Sequence, residues 1–228
     1  MTSSAVQRAE EYARLMMSGQ VAHDFEHVDR VRRWALCIAA GEGYADVEAV
    51  EVAALLHDIG RGRAEHERDH GVVGAELAAE FLRGNALLPE PTIAAITYAI
   101  AHHSWLDGEG ALLDILRDAD RMDMFGAIGL MRAFTSRATM PVYPSDNAKG
   151  DTWGMSAEAF TARRRQGLPI GAYIVDQINL QMAVYESLAT ATARQLADHL
   201  VAFMREYMEQ LEREVAGDSI ITKRTRQT

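Results

Sequence analysis

The stretch Val47–Gly60, VEAVEVAALLHDIG, decides the fold. Asp46 stands before it as an N-cap, Val50, Ala54 and His57 fall on one helical stripe, and Val52, Leu55, Leu56 and Ile59 fill the remaining faces. A helix that is apolar on nearly every side is a buried helix. The spacing therefore predicts a central helix that runs to Gly60 and ends in an imidazole and a carboxylate, His57-Asp58. An unpaired carboxylate is costly to bury, so the rest of the chain has to supply what compensates it.

Working outward, helical periodicity continues almost everywhere and strand alternation is almost absent. After His27, the residues Val31, Trp34 and Ile38 recur at steps of four, three and four on a face that ends at Gly41. Further helices are expected at about 70–83, 91–103, 111–124 and 126–137, with breaks at LRGNALLPEP, LDGEG and after Phe125. The stretch 139–155, TMPVYPSDNAKGDTWGM, has the turn chemistry of a long loop. A short helix near 156–165 follows, then helices at about 171–188 and 190–214, the last with a stripe of Leu196, Leu200, Phe203 and Tyr207. The expected organisation is a core over 1–138, a loop and helices over 139–216 completing the same domain, and a frayed tail over 217–228, whose apolar content is too small to offset its ordering entropy.

The composition narrows the function. The 228 residues are 48% hydrophobic and 25% charged, enough for one well-cored all-α protein. A formal charge of −10 argues against nucleic-acid scaffolding and against an anionic membrane surface. The single Cys37 forms no internal disulfide and, beside Trp34, Leu36 and Ile38, reads as a small buried side chain, which fits a reducing cytoplasm. The opening MTSSAVQRAEEYARLMM lacks the apolar run of an export signal, and no stretch approaches the roughly 18 apolar residues of a membrane span. A homodimer is compatible with such a chain.

Seven of the eight histidines lie between positions 23 and 103. A single buried histidine is most often a hydrogen-bonded core residue. Here carboxylates join them: Asp58 closes the buried helix, and Asp120 lies in ILRDADRMD beside the stripe Ile115, Leu116, Ala119 and Met122. Imidazoles gathered with carboxylates suit manganese, iron, cobalt, nickel or zinc better than the all-oxygen sites of magnesium or calcium. The methionines Met16, Met17, Met122, Met124, Met131 and Met140 read as core filling. His66 and His199 are given no function.

His27, then His57-Asp58, then Asp120, with helices between, resembles the H…HD…D signature of the HD superfamily of metal-dependent phosphohydrolases. The flanking words HDFEHVDRV, AALLHDIG and DADRMDMFGAIG are similar to small stand-alone bacterial HD hydrolases, some of which act on nucleotides. The resemblance covers about residues 20–138. It implies an all-α HD-domain helical bundle with additional C-terminal helices, and one divalent metal held by His27, His57, Asp58 and Asp120. HGVVGAELA at 70–78 and HHSWLDGEG at 102–110 resemble the segments that add histidine ligands in HD-GYP cyclic-dinucleotide phosphodiesterases. That carry-over implies a bridging Asp58 and a second metal completed by His70, His102 and His103. The Gly-Tyr-Pro element is missing, since DGEG is followed by Ala111-Leu112-Leu113. A glutamate expected four residues before the first histidine for a third metal is replaced by His23.

Metal-activated water removes the need for a serine or cysteine nucleophile in phosphoryl transfer. Asp58 and His23 are the catalytic candidates, His23 as a phosphate or proton-transfer contact one turn before His27. Arg61, where many HD proteins carry lysine, is placed at a phosphoryl oxygen; the alternative is a helix-terminal charge. Arg30 and Asp123 are grouped with the substrate contacts, Asp123 also being one turn after Asp120 and able to orient a ligand histidine or Arg30. The leading function is hydrolysis of a phosphoester or phosphoanhydride in a nucleotide or other small phosphorylated metabolite. The alternatives are a mixed-valent di-iron HD-type oxygenase and a non-catalytic metal-bound regulatory module.

Overall fold

The structure is a computed structural model and describes residues 3–17, 24–66, 69–104 and 107–217. His23 and the stretch 218–228 lie outside the described residues, so the roles expected for them have no structural counterpart here. Among the described residues there are ten α-helices, one 3-10 turn and no strand. None of these helices is long and apolar enough to cross a membrane. The backbone divides into two compact units.

The first unit comprises Met1–Asp123 with Ala189–Ala193. It contains α1 (Ser4–Met16), α2 (Phe25–Glu42), α3 (Val47–Leu56), α4 (His70–Gly84), α5 (Glu90–His102) and α6 (Ala111–Met122). The central helix of the sequence reading is α3: Ala49, Val50, Val52, Ala53, Ala54, Leu55 and Leu56 are all buried, and α1, α2, α5 and α6 pack around it. Asp46 caps it, accepting from Ala49 N at 3.0 Å. It stops at Leu56 instead of continuing to Gly60, and the chain turns through 57–63. A Cβ on Gly60 would lie 2.1 Å from His70 O and 2.5 Å from Gly74 N, so only glycine lets the start of α4 come this close to the His57-Asp58 turn.

One helix was not anticipated and one expectation is corrected here. The opening residues, read only for a leader, form α1: Ser3 accepts from Val6 N, and Ala5, Ala9 and Ala13 recur every four residues on its buried face. Alanines carry a weak hydrophobic signal but allow close packing. Cys37 is exposed, because α2 buries His27, Val28, Val31, Ala35, Ile38 and Ala39, and position 37 lies about 100° around the helix from Ile38.

The second unit runs from Met124 to Leu188 and resumes at Arg194. It contains α7 (Gly126–Ser136), α8 (Ala157–Arg165), α9 (Ile174–Val184), the 3-10 turn Tyr185–Ser187, and most of α10 (Ala191–Val215). The loop before α8 is fastened to α9 by buried polar groups. Asp176 accepts from Thr152 N at 3.2 Å and Thr152 Oγ1 at 2.7 Å, and Asn179 donates to Lys149 O at 2.8 Å. Asp176 also accepts from Tyr173 N, which starts α9 three residues later than periodicity indicated. On α10 the buried line is Ala193, Ala197, Val201, Met204 and Met208, one position on from the expected stripe, and Phe203 is 46% exposed. The smaller side chains take the inside because they permit closer approach. Met131, expected in the core, is 64% exposed.

Candidate metal centre

Helix ends build the site. Asp24 caps α2 by accepting from His27 N at 3.0 Å, so His27 sits in the first turn of that helix. His57 and Asp58 follow the last residue of α3, His70 opens α4, His103 caps α5, and Asp120 and Asp123 lie at the end of α6. Five separate helix ends thus converge, all within the first unit.

Asp58 is the hub. Its Oδ2 lies 3.6 Å from His27 Nε2 and 3.6 Å from His57 Nε2. Asp120 Oδ1 completes that group, 3.4 Å from His27 Nε2 and 3.9 Å from His57 Nε2. On the other side, Asp58 Oδ1 lies 3.4 Å from His70 Nε2 and 3.7 Å from His103 Nε2, and those two nitrogens are 3.2 Å apart. Each carboxylate oxygen therefore faces its own pair of imidazoles. Candidate ligand atoms of His27, His57 and Asp120 lie within 4.8 Å of one another, as do those of His57, Asp58 and His103. Either group could hold a metal ion.

The surrounding contacts fix the rings. His57 Nδ1 lies 2.8 Å from Ala54 O, and His103 Nδ1 lies 2.7 Å from Ile100 O, which leaves both Nε2 atoms directed at Asp58. With Nδ1–H donating to a carbonyl, Nε2 carries the lone pair a metal needs. His27 Nδ1 is 2.8 Å from Asp123 Oδ2, and Arg30 holds the same carboxylate through Nε at 2.7 Å and Nη2 at 3.0 Å. Asp123 is 1% exposed and lies behind His27. Arg61 donates from Nε to Asp58 Oδ2 at 2.6 Å.

His102 is not brought into this cluster. Its Nδ1 lies 3.4 Å from Asp107, and its ring packs against Tyr98 with centroids 4.5 Å apart. The adjacent His103 is the one that faces Asp58.

Burial and charge agree with a cation. His27, His57 and Asp58 are fully buried, whereas Asp120 keeps 26% of its side chain exposed, which leaves the first group open on that side. Burial pushes His57 down to about 4, so its ring is neutral at ordinary pH, and its Nε2 is buried with no hydrogen-bond partner. Desolvation raises the Asp120 carboxyl, but the bond from His27 and the neighbouring His57 hold it well below the usual carboxylate range. A buried imidazole nitrogen left with its lone pair beside two carboxylates is an arrangement that could hold a divalent metal ion.

Sequence reasoning gave no role to Asp118, which is fully buried. It accepts from Ala189 N, from Thr190 N at 2.7 Å and from Thr190 Oγ1 at 2.8 Å. Asp118 thereby holds Ala189 and Thr190, which lead into α10, against α6. In the run RDAD it is indistinguishable from Asp120 until the helix phase is known.

Comparison with known proteins places this geometry in context. Residues 24–125 match the HD domain family. The chain is 27% identical over 218 residues to YpgQ of Bacillus subtilis, covering 86% of this chain and 85% of that protein. A crystal structure of YpgQ in complex with ADP superposes with a TM-score of 0.61 at 22% identity, over 92% of this chain and 94% of the other. A predicted HD superfamily hydrolase from an uncultured Thermotogales bacterium gives a TM-score of 0.62 at 25% identity, over 91% of both chains. MJ0778 of Methanocaldococcus jannaschii is 45% identical over 76 residues, which is 31% of this chain and spans 44% of that relative's length.

Proposed function

We propose that this chain, which carries an HD domain over residues 24–125, is a metal-dependent hydrolase of phosphoester or phosphoanhydride bonds in a nucleotide or another small phosphorylated metabolite. The observation that carries the reading is the arrangement of Asp58, with two imidazole nitrogens within 3.6 Å of Oδ2 and two within 3.7 Å of Oδ1. It favours two cations, of which the first would be held by His27, His57, Asp58 and Asp120 and the second by Asp58, His70 and His103. Manganese or iron suits these donors best, with cobalt, nickel or zinc also compatible. When bound, such ions lower the pKa of water and neutralise phosphoryl charge.

The residues of the chain do the rest. His27 is oriented by Asp123, which Arg30 holds in turn; in this reading both act by positioning the ligand histidine. Arg61, beside Asp58 and 14% exposed, supplies fixed positive charge for a phosphoryl oxygen. His23 stays the candidate for proton transfer four positions before His27. A nucleotide is the favoured substrate class, supported by the ADP complex of YpgQ.

A phosphatase and nucleotide panel with Mn, Fe, Co, Ni and Mg, run in air with oxygen uptake recorded, tests the proposal. Metal-dependent phosphate or pyrophosphate release without oxygen uptake is the expected result. Oxygen uptake with iron selects the di-iron oxygenase instead, and neither activity leaves a metal-bound regulatory module.

A further inference from the structure

Arg117 lies on the face of α6 opposite to solvent and is only 7% exposed. A buried guanidinium is costly, and this one is not spent on a close ion pair: Asp114 Oδ1 is 3.9 Å from Nη1. Its Nη2 donates to two backbone carbonyls, His102 O at 3.0 Å and Asp107 O at 2.5 Å. His102 is the last residue of α5, so its carbonyl is one of those a helix leaves without an internal partner, and a cation there also meets the negative end of the helix dipole. Another carbonyl of that turn, Ile100 O, is used by the His103 ring. Arg117 and His103 thus finish the C-terminal turn of α5 together.

We propose that Arg117 is the positioning residue of the second cation group. By holding His102 O and Asp107 O it fixes the point at which α5 ends, and so the backbone from which His103 directs Nε2 at Asp58 Oδ1 while His102 turns to Asp107. The inference rests on the two-cation reading above. It explains why an arginine is buried on α6 among Leu113, Leu116 and Ala119, where the other buried charged residue, Asp118, is taken up by Ala189 and Thr190. Gly108 belongs to the same device: at φ +84° it brings the connection against α5, where a Cβ would meet Leu113 at 2.9 Å, Tyr98 Oη at 3.0 Å and His102 Cγ at 3.3 Å.

Manganese binding to the full chain, followed by calorimetry and elemental analysis with thermal melting as a fold control, provides the test. Wild type is expected to hold two ions, and Arg117→Met to bind the second about 10–100-fold more weakly with the first unchanged. Arg117→Lys restores the second ion, because one ammonium can donate to both carbonyls. If Arg117→Met does not fold, Arg117→Lys and Gly108→Ala carry the test, with two ions expected for the former and a weakened second ion for the latter. Unaltered binding of both ions by Arg117→Met, or by Gly108→Ala in its place, overturns the proposal. So does equal weakening of both ions, which would make Arg117 a residue of the general fold. A wild type that holds one ion, unaffected by His103→Ala, defeats the two-cation reading itself and is thereby distinguished from a failure of Arg117 alone.

Discussion

His57 and His103 are held in the same way. Each is the residue that caps its helix, each places Nδ1 against the carbonyl three residues earlier, Ala54 O at 2.8 Å and Ile100 O at 2.7 Å, and their rings meet edge-on with centroids 5.3 Å apart. Two helix ends therefore present two Nε2 atoms to the two oxygens of one carboxylate, Asp58. The helix C-terminus supplies the acceptor that fixes each ring, which is why these two histidines sit where their helices stop.

The first prediction separates the two adjacent histidines. His70→Ala combined with His103→Ala should lower metal-replete protein from two ions per chain to one, whereas His102→Ala should leave it at two. Elemental analysis of anaerobically purified protein decides, and the opposite pattern would give the ligand role to His102.

The second concerns the hub. Asp58→Ala is expected to abolish activity and metal binding together, because Asp58 faces all four imidazoles. Arg61→Ala should keep the metal and lose about 10²–10³ in kcat, the range typical of removing one electrostatic donor. Equal residual activity with unchanged metal content in both variants would remove these roles.

The third addresses the residue behind His27. Asp123→Ala leaves Arg30 without its bidentate partner and His27 without the group that orients it. Metal affinity should fall by about 10–100-fold. Stability should fall by roughly 2–3 kcal/mol, since hydrogen bonds to a charged group are lost. Titration with manganese and urea unfolding measure the two effects separately; an unchanged affinity would make Asp123 a purely structural acid.

The fourth is a pH dependence of the metal-free protein. Unfolded, His57 takes up a proton near its ordinary 6.5, and folded only near about 4. Between those values the unfolded state binds more protons, so stability is complete above about 6.5 and falls as the pH drops towards 4. Urea midpoints of chelator-stripped wild type should therefore decline more steeply from pH 7 to pH 5 than those of His57→Gln. Parallel declines would show that another group carries the acid sensitivity.

A good part of this protein was legible before any coordinates. The all-apolar surface of Val47–Leu56 identified the central helix, because burial on every side leaves a hydrophobic pattern that no surface helix shows. The types and chain positions of His27, His57, Asp58 and Asp120 pointed to a cation, because carboxylates and imidazoles on apolar segments need a shared partner. The phase of helices with two competing apolar stripes was not legible: α10 buries Ala197, Val201 and Met204 where Leu200 and Phe203 looked stronger. Periodicity reports which spacings share a face but not which face a neighbour can approach.

Within the candidate site, the sequence supplied the residue types and only the tertiary structure brought some of them together. His102 and His103 are the same residue type at adjacent positions, about 100° apart around a helix, so composition cannot say which one faces Asp58. That choice is made where α5 ends, by Arg117 on His102 O and by Ile100 O on the His103 ring. Likewise the two oxygens of Asp58 are equivalent in the chain and become distinct only when α2 and α3 bring imidazoles to one side and α4 and α5 to the other. Local sequence fixes helical spacing and chemistry over a few residues, whereas ligand direction depends on helix ends that meet from segments far apart in the chain.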